Sequence, residues 1–383
     1  MSHIFKPALD SIPAGIISLD DYEKSAREFI RHDILEYING GVADDRSLHA
    51  NRKVFQNYRL YNRVFNSFTE TDTTVTLFNK THPHPIFLAP VAHQGLVHPE
   101  AELATAAAAS AMQAPMIISS LSNTPVADVS SQASTAWFQL YWQTNRRATS
   151  ALLNNAIKAG CEAIVITLDA PVSGVRNRAQ RAGFSLPAGL TEINLRDLPL
   201  PPPRVLNADD SPVLHGLMQD APTVEDLRWL RKQTDLPLLA KGISHPSEAQ
   251  TVTDLGFDGL IISNHGGRTL DNMPSPPELI PAIRQVIGPD IPLLLDSGIR
   301  RGTDIITALA LGADAVCIGR PQMWGLAVAG ALGVAHSVKI LKEEMEIAMA
   351  LTGSPTLTAL TPDIFFSENS SEYQTSQSFA CGD

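Results

Sequence analysis

From residue 85 onward the chain alternates between two patterns. Short, mainly apolar runs cover 86–91, 116–118, 137–140, 163–168, 236–240, 259–262, 291–295 and 313–318. Between them lie segments such as 100–112, 149–159, 224–233, 245–255, 278–287 and 302–311, rich in alanine and leucine, which read as helices. A strand with one wet face alternates apolar and polar residues, whereas a strand covered on both faces is continuously apolar. Eight such runs interleaved with helices predict an α/β fold in which a parallel sheet closes into a (β/α)8 TIM barrel. An open doubly wound sheet is the second arrangement that this alternation allows.

Residues 1–84 read as a helical and hairpin extension in front of the barrel. Over 19–39 the apolar positions Ala26, Phe29, Ile30, Ile34 and Tyr37 recur at helical spacing, with Ser18 as cap and Gly40-Gly41 as stop, which predicts one amphipathic helix. A second helical stretch at 47–55 leads to alternating threonines at 71–78, a strand of a small hairpin, so these parts are expected to form a lid or a plug. Between 181 and 223 the alternation lapses around a proline cluster and Asp209-Asp210; this is expected to be a mobile extension of the fourth strand-to-helix connection. A helical pattern returns at 335–350, and the polar residues 367–383 are expected to be a disordered tail behind a single domain, 1–366.

Composition narrows the classes of function. With 383 residues, 44% of them hydrophobic, the chain can bury a large core. Its net charge of -11 and pI near 5.4, without a long basic run, argue against nucleic acid or an anionic membrane as the main partner. Cys161, Cys317 and Cys381 are an odd number without Cys-x-x-Cys spacing, so they read as thiols in a reducing compartment, and a cytoplasmic location is expected. The amino end lacks the apolar core of a signal peptide, and no stretch reaches the roughly 18 residues needed to span a bilayer.

The polar residues gather at one end of the runs. Reading the carboxyl ends gives Ala92, Ser119, Gln139 with Tyr141, Thr167 with Asp169, Lys241, Ser263 with His265, Asp296, and Gly319 with Arg320. In a barrel these ends converge on the face that carries active sites. At 260–268 an apolar run stops at Ser263-Asn264-His265-Gly266-Gly267-Arg268, which offers a base and a permanent cation beside backbone that glycine leaves bare; an ordinary turn with a surface arginine is the competing reading. Arg268 and Arg176, seven residues after Asp169, are candidate clamps for a carboxylate. Asp169 is placed to stabilise an imidazolium or to cap a helix, and Tyr37 and Tyr141 to offer hydroxyls. Gly298 with Arg300, and Gly319 with Arg320, follow the seventh and eighth runs and precede helices, the place where barrels bind phosphate. Lys241 after an apolar run calls for an anion, which an electron-rich cofactor would supply.

These segments resemble the FMN-dependent L-2-hydroxy-acid oxidases and dehydrogenases, which include glycolate oxidase and lactate oxidase. Ser263-Asn264-His265-Gly266-Gly267-Arg268 is similar to the family's active-site signature, and Ala89-Pro90-Val91-Ala92, Gln139-Leu140-Tyr141, Thr167-Leu168-Asp169, Ala240-Lys241-Gly242, 296–302 and Ile318-Gly319-Arg320 follow in family order. The resemblance, spanning 37–325, implies FMN as cofactor and a small 2-hydroxy acid as substrate. It implies His265 as the base, Asp169 as stabiliser of its charged form, Arg176 and Arg268 as carboxylate clamps, and Tyr37 and Tyr141 as substrate contacts. Ala92, Ser119, Gln139 and Thr167 would line the flavin ring, with Ser263 beside them and Lys241 near flavin N1 and the C2 oxygen. Asp296, Gly298, Arg300, Gly319 and Arg320 would take the ribityl phosphate. Relatives are usually tetramers, and electrons would pass to dioxygen.

Two positions depart from the family pattern. Thr269 stands where a glutamine is usual, and Leu121 stands where glycolate oxidases carry a tryptophan against the substrate. A smaller wall leaves room beyond hydrogen at C2, so lactate or a longer 2-hydroxy acid is expected rather than glycolate. A quinone- or cytochrome-linked dehydrogenase of the same family is the alternative, but its membrane-bound members anchor through the loop after the fourth strand, and here that loop lacks a basic amphipathic face. A non-catalytic flavin-binding barrel is the other; the joint presence of His265, Asp169 and Arg268 argues against it.

Overall fold

A computed structural model describes residues 6–200 and 204–367. A hairpin of β1 (Val75–Leu77) and β2 (Lys80–His82) precedes β3 (Ile86–Leu88), β4 (Met116–Ser119), β5 (Ala136–Tyr141), β6 (Ala163–Thr167), β7 (Leu238–Lys241), β8 (Gly259–Ile262), β9 (Leu293–Leu295) and β10 (Ala315–Ile318). The last eight pair in parallel and close, β10 against β3, into the expected barrel. Barrel strands are buried along nearly their whole length, which is why their sequences do not alternate. Burial still has a period of two: Phe87, Ile117, Trp137, Val165 and Leu239 fill the barrel interior, while Ile86, Leu88, Ile118, Phe138 and Ile164 pack outward under the helices.

The register sets the polar ends side by side. Ser119 pairs with Gln139, Tyr141 with Thr167, and Thr167 with Lys241, so residues far apart in sequence form continuous rows at one mouth. At the other mouth the hairpin is a plug, as expected: Leu77 joins the interior cluster, and Phe78 lies 5.6 Å from Trp137, which itself lies 5.0 Å from Phe87.

The expected single helix over 19–39 is two, α1 (Leu19–Phe29) and α2 (His32–Asn39). Ser18 caps α1 as predicted, but Ile30 takes an extended conformation and the backbone N–H of Lys6 donates to the Phe29 carbonyl, so tertiary partners replace helical ones at the break. Gly40 ends α2, and α3 (Arg46–Lys53) follows. Outside the barrel run α4 (Ala101–Met112), α5 (Val126–Gln132), α6 (Arg146–Lys158), α7 (Asn177–Arg181), α8 (Val224–Arg231), α9 (Pro246–Asp254), α10 (Pro276–Ile287), α11 (Gly302–Ala310) and α12 (Arg320–Thr352). The short α5 and α7 have no counterpart in the sequence reading. α12 contains a window that is apolar enough to span a membrane, which corrects the expectation that none exists. That window is 72% buried, packed on α4, α1 and α11, and the helix breaks at Ala329 and Gly330.

The stretch 181–223 extends the fourth connection, as predicted, but short helical turns punctuate it at Ile193–Leu195, Pro212–Gly216 and Leu217–Asp220. Its 191–194 portion is fastened to the loop after β4: Asn123 donates to the Thr191 carbonyl at 3.1 Å and Val126 N to Asn194 Oδ1 at 2.9 Å. Cys161 and Cys317 are buried thiols. Cys381 and the tail beyond Ser367 lie outside the described residues.

His82, buried against Phe87 in the plug, resists protonation until about pH 4 because burial disfavours its charge. The unfolded chain takes up that proton near the ordinary value of about 6.5. Between these values the unfolded state binds more protons, so stability falls as the pH drops through that window. Melting temperature measured from pH 7 to pH 4.5 is expected to fall less steeply in His82→Leu than in the wild type; equal slopes would remove His82 from the acid response.

Candidate active site

A cavity of about 430 Å³ opens at the carboxyl mouth of the barrel. Ala92, Ser119, Leu121, Tyr37 and Tyr141 line it, together with Arg176, Lys241, His265 and Arg268. Asp296, Gly298, Arg300, Gly319 and Arg320 continue the wall, so most of the predicted residues share one space. Gln139, Thr167, Asp169 and Ser263 are not on that wall and lie behind it, buried or nearly so.

His265 follows β8 and adopts a left-handed conformation, φ 58°. Its Nδ1 lies 3.0 Å from Asp169 Oδ1, and its Nε2 faces the Tyr141 hydroxyl at 3.5 Å, long for a hydrogen bond. The carboxylate selects the tautomer with hydrogen on Nδ1, which leaves the Nε2 lone pair toward the cavity. Burial opposes ionisation of Asp169, but His265 and Lys241 outweigh it and hold its carboxyl below the usual range. Burial pushes the Tyr141 hydroxyl up to about 12, so it stays neutral.

Behind the mouth, Lys241 Nζ pairs with Asp296 at 3.0 Å and donates to Ser263 Oγ at 2.8 Å. Burial works against its charge, yet Asp296 and Asp169 raise its pKa above the ordinary lysine value. Ser263 Oγ in turn accepts from His265 N at 2.9 Å, joining the lysine to the base turn. Gln139 Oε1 accepts from Ser120 N, and its Nε2 is left buried without a partner, as is Thr167 Oγ1.

Arg176, Arg268, Arg300 and Arg320 crowd the cavity, and no carboxylate lies within ion-pairing distance of any of them among the described residues. Burial depresses all four, and neighbouring arginines add to it at Arg176, Arg300 and Arg320; Arg176 and Arg300 fall to about 10, still well above neutral pH. Arg176 Nε and Nη1 have no partner. The other arginines depart in part from the expected roles. Arg268 Nη1 donates to the carbonyls of Tyr37, Ile38 and Gly40, and Arg320 to those of Ile38, Gly40 and Gly266, because the end of α2 presents free acceptors there. Arg300 lies over the Trp324 ring at 4.7 Å. This helix-end bracket had no signal in the sequence. Arg300 and Arg320 also border a second cavity of about 540 Å³ between α1, α2 and α3, so both arginines stand where the two spaces meet.

The matching family, described as FMN-dependent dehydrogenase, covers residues 26–367. The chain belongs to this family. It is 43% identical to an L-lactate oxidase of Alicycliphilus denitrificans over 92% of this chain and 97% of that one. It is 36% identical to 2-hydroxyacid oxidase 1 of Homo sapiens, over 88% and 93% respectively. A crystal structure of mandelate oxidase with (S)-2-phenylpropionate superposes with a TM-score of 0.82 at 36% identity, covering 90% of this chain and 96% of that one. FMN is therefore the cofactor, and the residues fit it. Unpartnered Gln139 Nε2 and Thr167 Oγ1 suit the polar edge of a flavin ring, Lys241 suits its electron-rich side, and the carboxylate-free Arg300 and Arg320 suit a phosphate.

Gly242 shows how tightly the base pair is built. A Cβ there would fall on Asp169 Cγ and within 2.8 Å of Oδ1, at a φ of 95° that side chains avoid. Gly242→Ala is expected to lower stability by about 1–3 kcal/mol through backbone strain, read as a shift in the urea midpoint. An unchanged midpoint would mean that the Asp169 carboxyl has room to move.

Proposed function

We propose that this protein converts an L-2-hydroxy acid and dioxygen into the 2-oxo acid and hydrogen peroxide, with lactate or a longer acid favoured over glycolate. The observation that carries this reading is a base, His265, fixed by a buried carboxylate and aimed into the same cavity as arginines that lack carboxylate partners. Bound FMN supplies the acceptor for the two electrons that leave the substrate. Arg176, with two unpartnered nitrogens, and Arg268 hold the substrate carboxylate. With the carboxylate so held, His265 Nε2 takes a proton from the hydroxy acid, and Asp169 offsets the charge that appears on the ring. Tyr141 and Tyr37 contact the substrate oxygens; Tyr141 does so as a donor, because its hydroxyl stays neutral.

The residues that would hold FMN are Ala92 and Ser119 at the ring, Lys241 as a positive charge beside it, Asp296 and Gly298 along the ribityl chain, and Arg300, Gly319 and Arg320 at the phosphate. Leu121 forms an aliphatic wall where a bulky ring would restrict the C2 substituent. The 43% and 40% identical relatives named L-lactate oxidase favour the same substrate range. We read 1–366 as one catalytic domain, the assembly as a homotetramer and the location as cytoplasmic, without a membrane or nucleic-acid partner; the buried free thiols Cys161 and Cys317 agree with a reducing compartment.

Peroxide release under air with glycolate, L-lactate and L-2-hydroxyoctanoate tests this. The expected result is peroxide equal to the 2-oxo acid formed, with either longer acid turned over faster than glycolate. A clear preference for glycolate would sink the assignment of Leu121. Turnover that needs a quinone dye and yields no peroxide would replace the oxidase by a dehydrogenase.

A further inference from the structure

The turn that carries His265 does not hold itself. A non-glycine residue at φ 58° is unfavourable unless its surroundings impose it. Part of that imposition is local: His265 N donates to Ser263 Oγ, and Gly267 N to the Asn264 carbonyl at 2.9 Å and to Asn264 Oδ1 at 3.0 Å. Gly266 is held from neighbouring loops, its N–H donating to Ser297 Oγ and its carbonyl accepting from Arg320, and Val42 N donates to the Gly267 carbonyl. Asn264, directly before His265, is held from α3, more than 200 residues earlier. Asn51 Nδ2 donates to Asn264 Oδ1 at 2.8 Å, and Asn264 Nδ2 returns a hydrogen bond to Asn51 Oδ1 at 2.6 Å. Both side chains are buried, at 2% and 0% exposure, so water cannot replace either partner.

The neighbouring residue ties the same helix to the adjacent loop, the one after β9. Arg52 donates to the Gly298 carbonyl and pairs with Asp304 at 2.9 Å, and that carboxylate also accepts from Arg300 N and Arg301 N. The backbone carbonyl of Asn51 lies against Gly298 so closely that no side chain fits there. One short helix of the amino-terminal extension therefore grips both the base turn and the loop next to the expected phosphate place.

We propose that Asn51 is a positioning residue for His265, its paired amide holding the left-handed turn that aims the imidazole, while Arg52 fixes that turn relative to the Gly298 loop. The proposal rests on the 2-hydroxy-acid oxidase reading. The Asn51 side chain does not line the cavity, and its hydrogen bonds go to Asn264, so it acts on the site through the turn. Arg176 lies outside that turn, and Arg268 keeps its own anchors on the carbonyls of Tyr37, Ile38 and Gly40, so carboxylate binding survives when the turn relaxes and only the proton-transfer geometry degrades.

Asn51→Ala and Asn51→Asp, the second keeping the shape and the acceptor for Asn264 Nδ2, are compared with the wild type as FMN-loaded proteins mixed with L-lactate without oxygen. The rate of bleaching per bound flavin is expected to fall by about 10- to 100-fold, the size of loss that misplacement of a reacting group causes. The lactate concentration giving half the maximal rate is expected to change by no more than about threefold, as for loss of an interaction that acts only in the reaction step. A wild-type rate per bound flavin in both variants, with or without weaker FMN retention, overturns the proposal. Failure of the wild type to bleach with any 2-hydroxy acid overturns the functional reading itself, so the two failures are distinguishable.

Discussion

Four desolvated arginines, Arg300 buried and Arg176, Arg268 and Arg320 half-buried, stand at one mouth of the barrel without carboxylates to neutralise them, and they are the constraint on which the rest of this structure depends. Burying a charge is costly unless something meets it. The protein meets part of this demand with carbonyls at the end of α2, which receive Arg268 and Arg320. It leaves the rest for anions that are not part of the chain. In the proposed function a substrate carboxylate at Arg176 and Arg268 and a flavin phosphate at Arg300 and Arg320 would complete the charge balance, and affinity for both would follow from one electrostatic arrangement.

Against that background the two buried carboxylates of the mouth are placed so that they do not quench the arginines. Asp296 is committed to Lys241 and Asp169 to His265. Gly242 is bare so that Asp169 can lie against its backbone. The strand register brings Tyr141, Thr167 and Lys241 into one row across the mouth. The hairpin plug at the other mouth keeps the interior dry through Phe78, Phe87 and Trp137, and a dry interior strengthens every charge interaction above it.

The barrel could be read from the sequence because strands covered on both faces stop alternating, and each of the eight runs became a strand. The polar residues at the ends of those runs were readable for the same reason: a polar side chain directly after an apolar strand has few places to go except the mouth. What could not be read depends on contacts between distant segments. Asn51 meets Asn264 across 213 residues, and the bracket at the end of α2 is built of carbonyls, which carry no residue identity. The break at Ile30 likewise follows from a backbone partner at Lys6 rather than from any helix-breaking residue. Gln139 and Thr167 were identified by position, but only their unpartnered buried atoms give that position a ligand-binding meaning.

The central claim is that His265, held by Asp169, is the base for 2-hydroxy-acid oxidation with FMN. The most direct measurement is bleaching of the flavin colour by L-lactate without oxygen, in the wild type and in His265→Gln. Both proteins are expected to purify yellow, with the wild type bleaching rapidly and the variant slower by about 10²- to 10⁴-fold, the range that general base catalysis contributes. Near-normal bleaching in the variant, or a colourless wild type that takes up no FMN, would contradict the account.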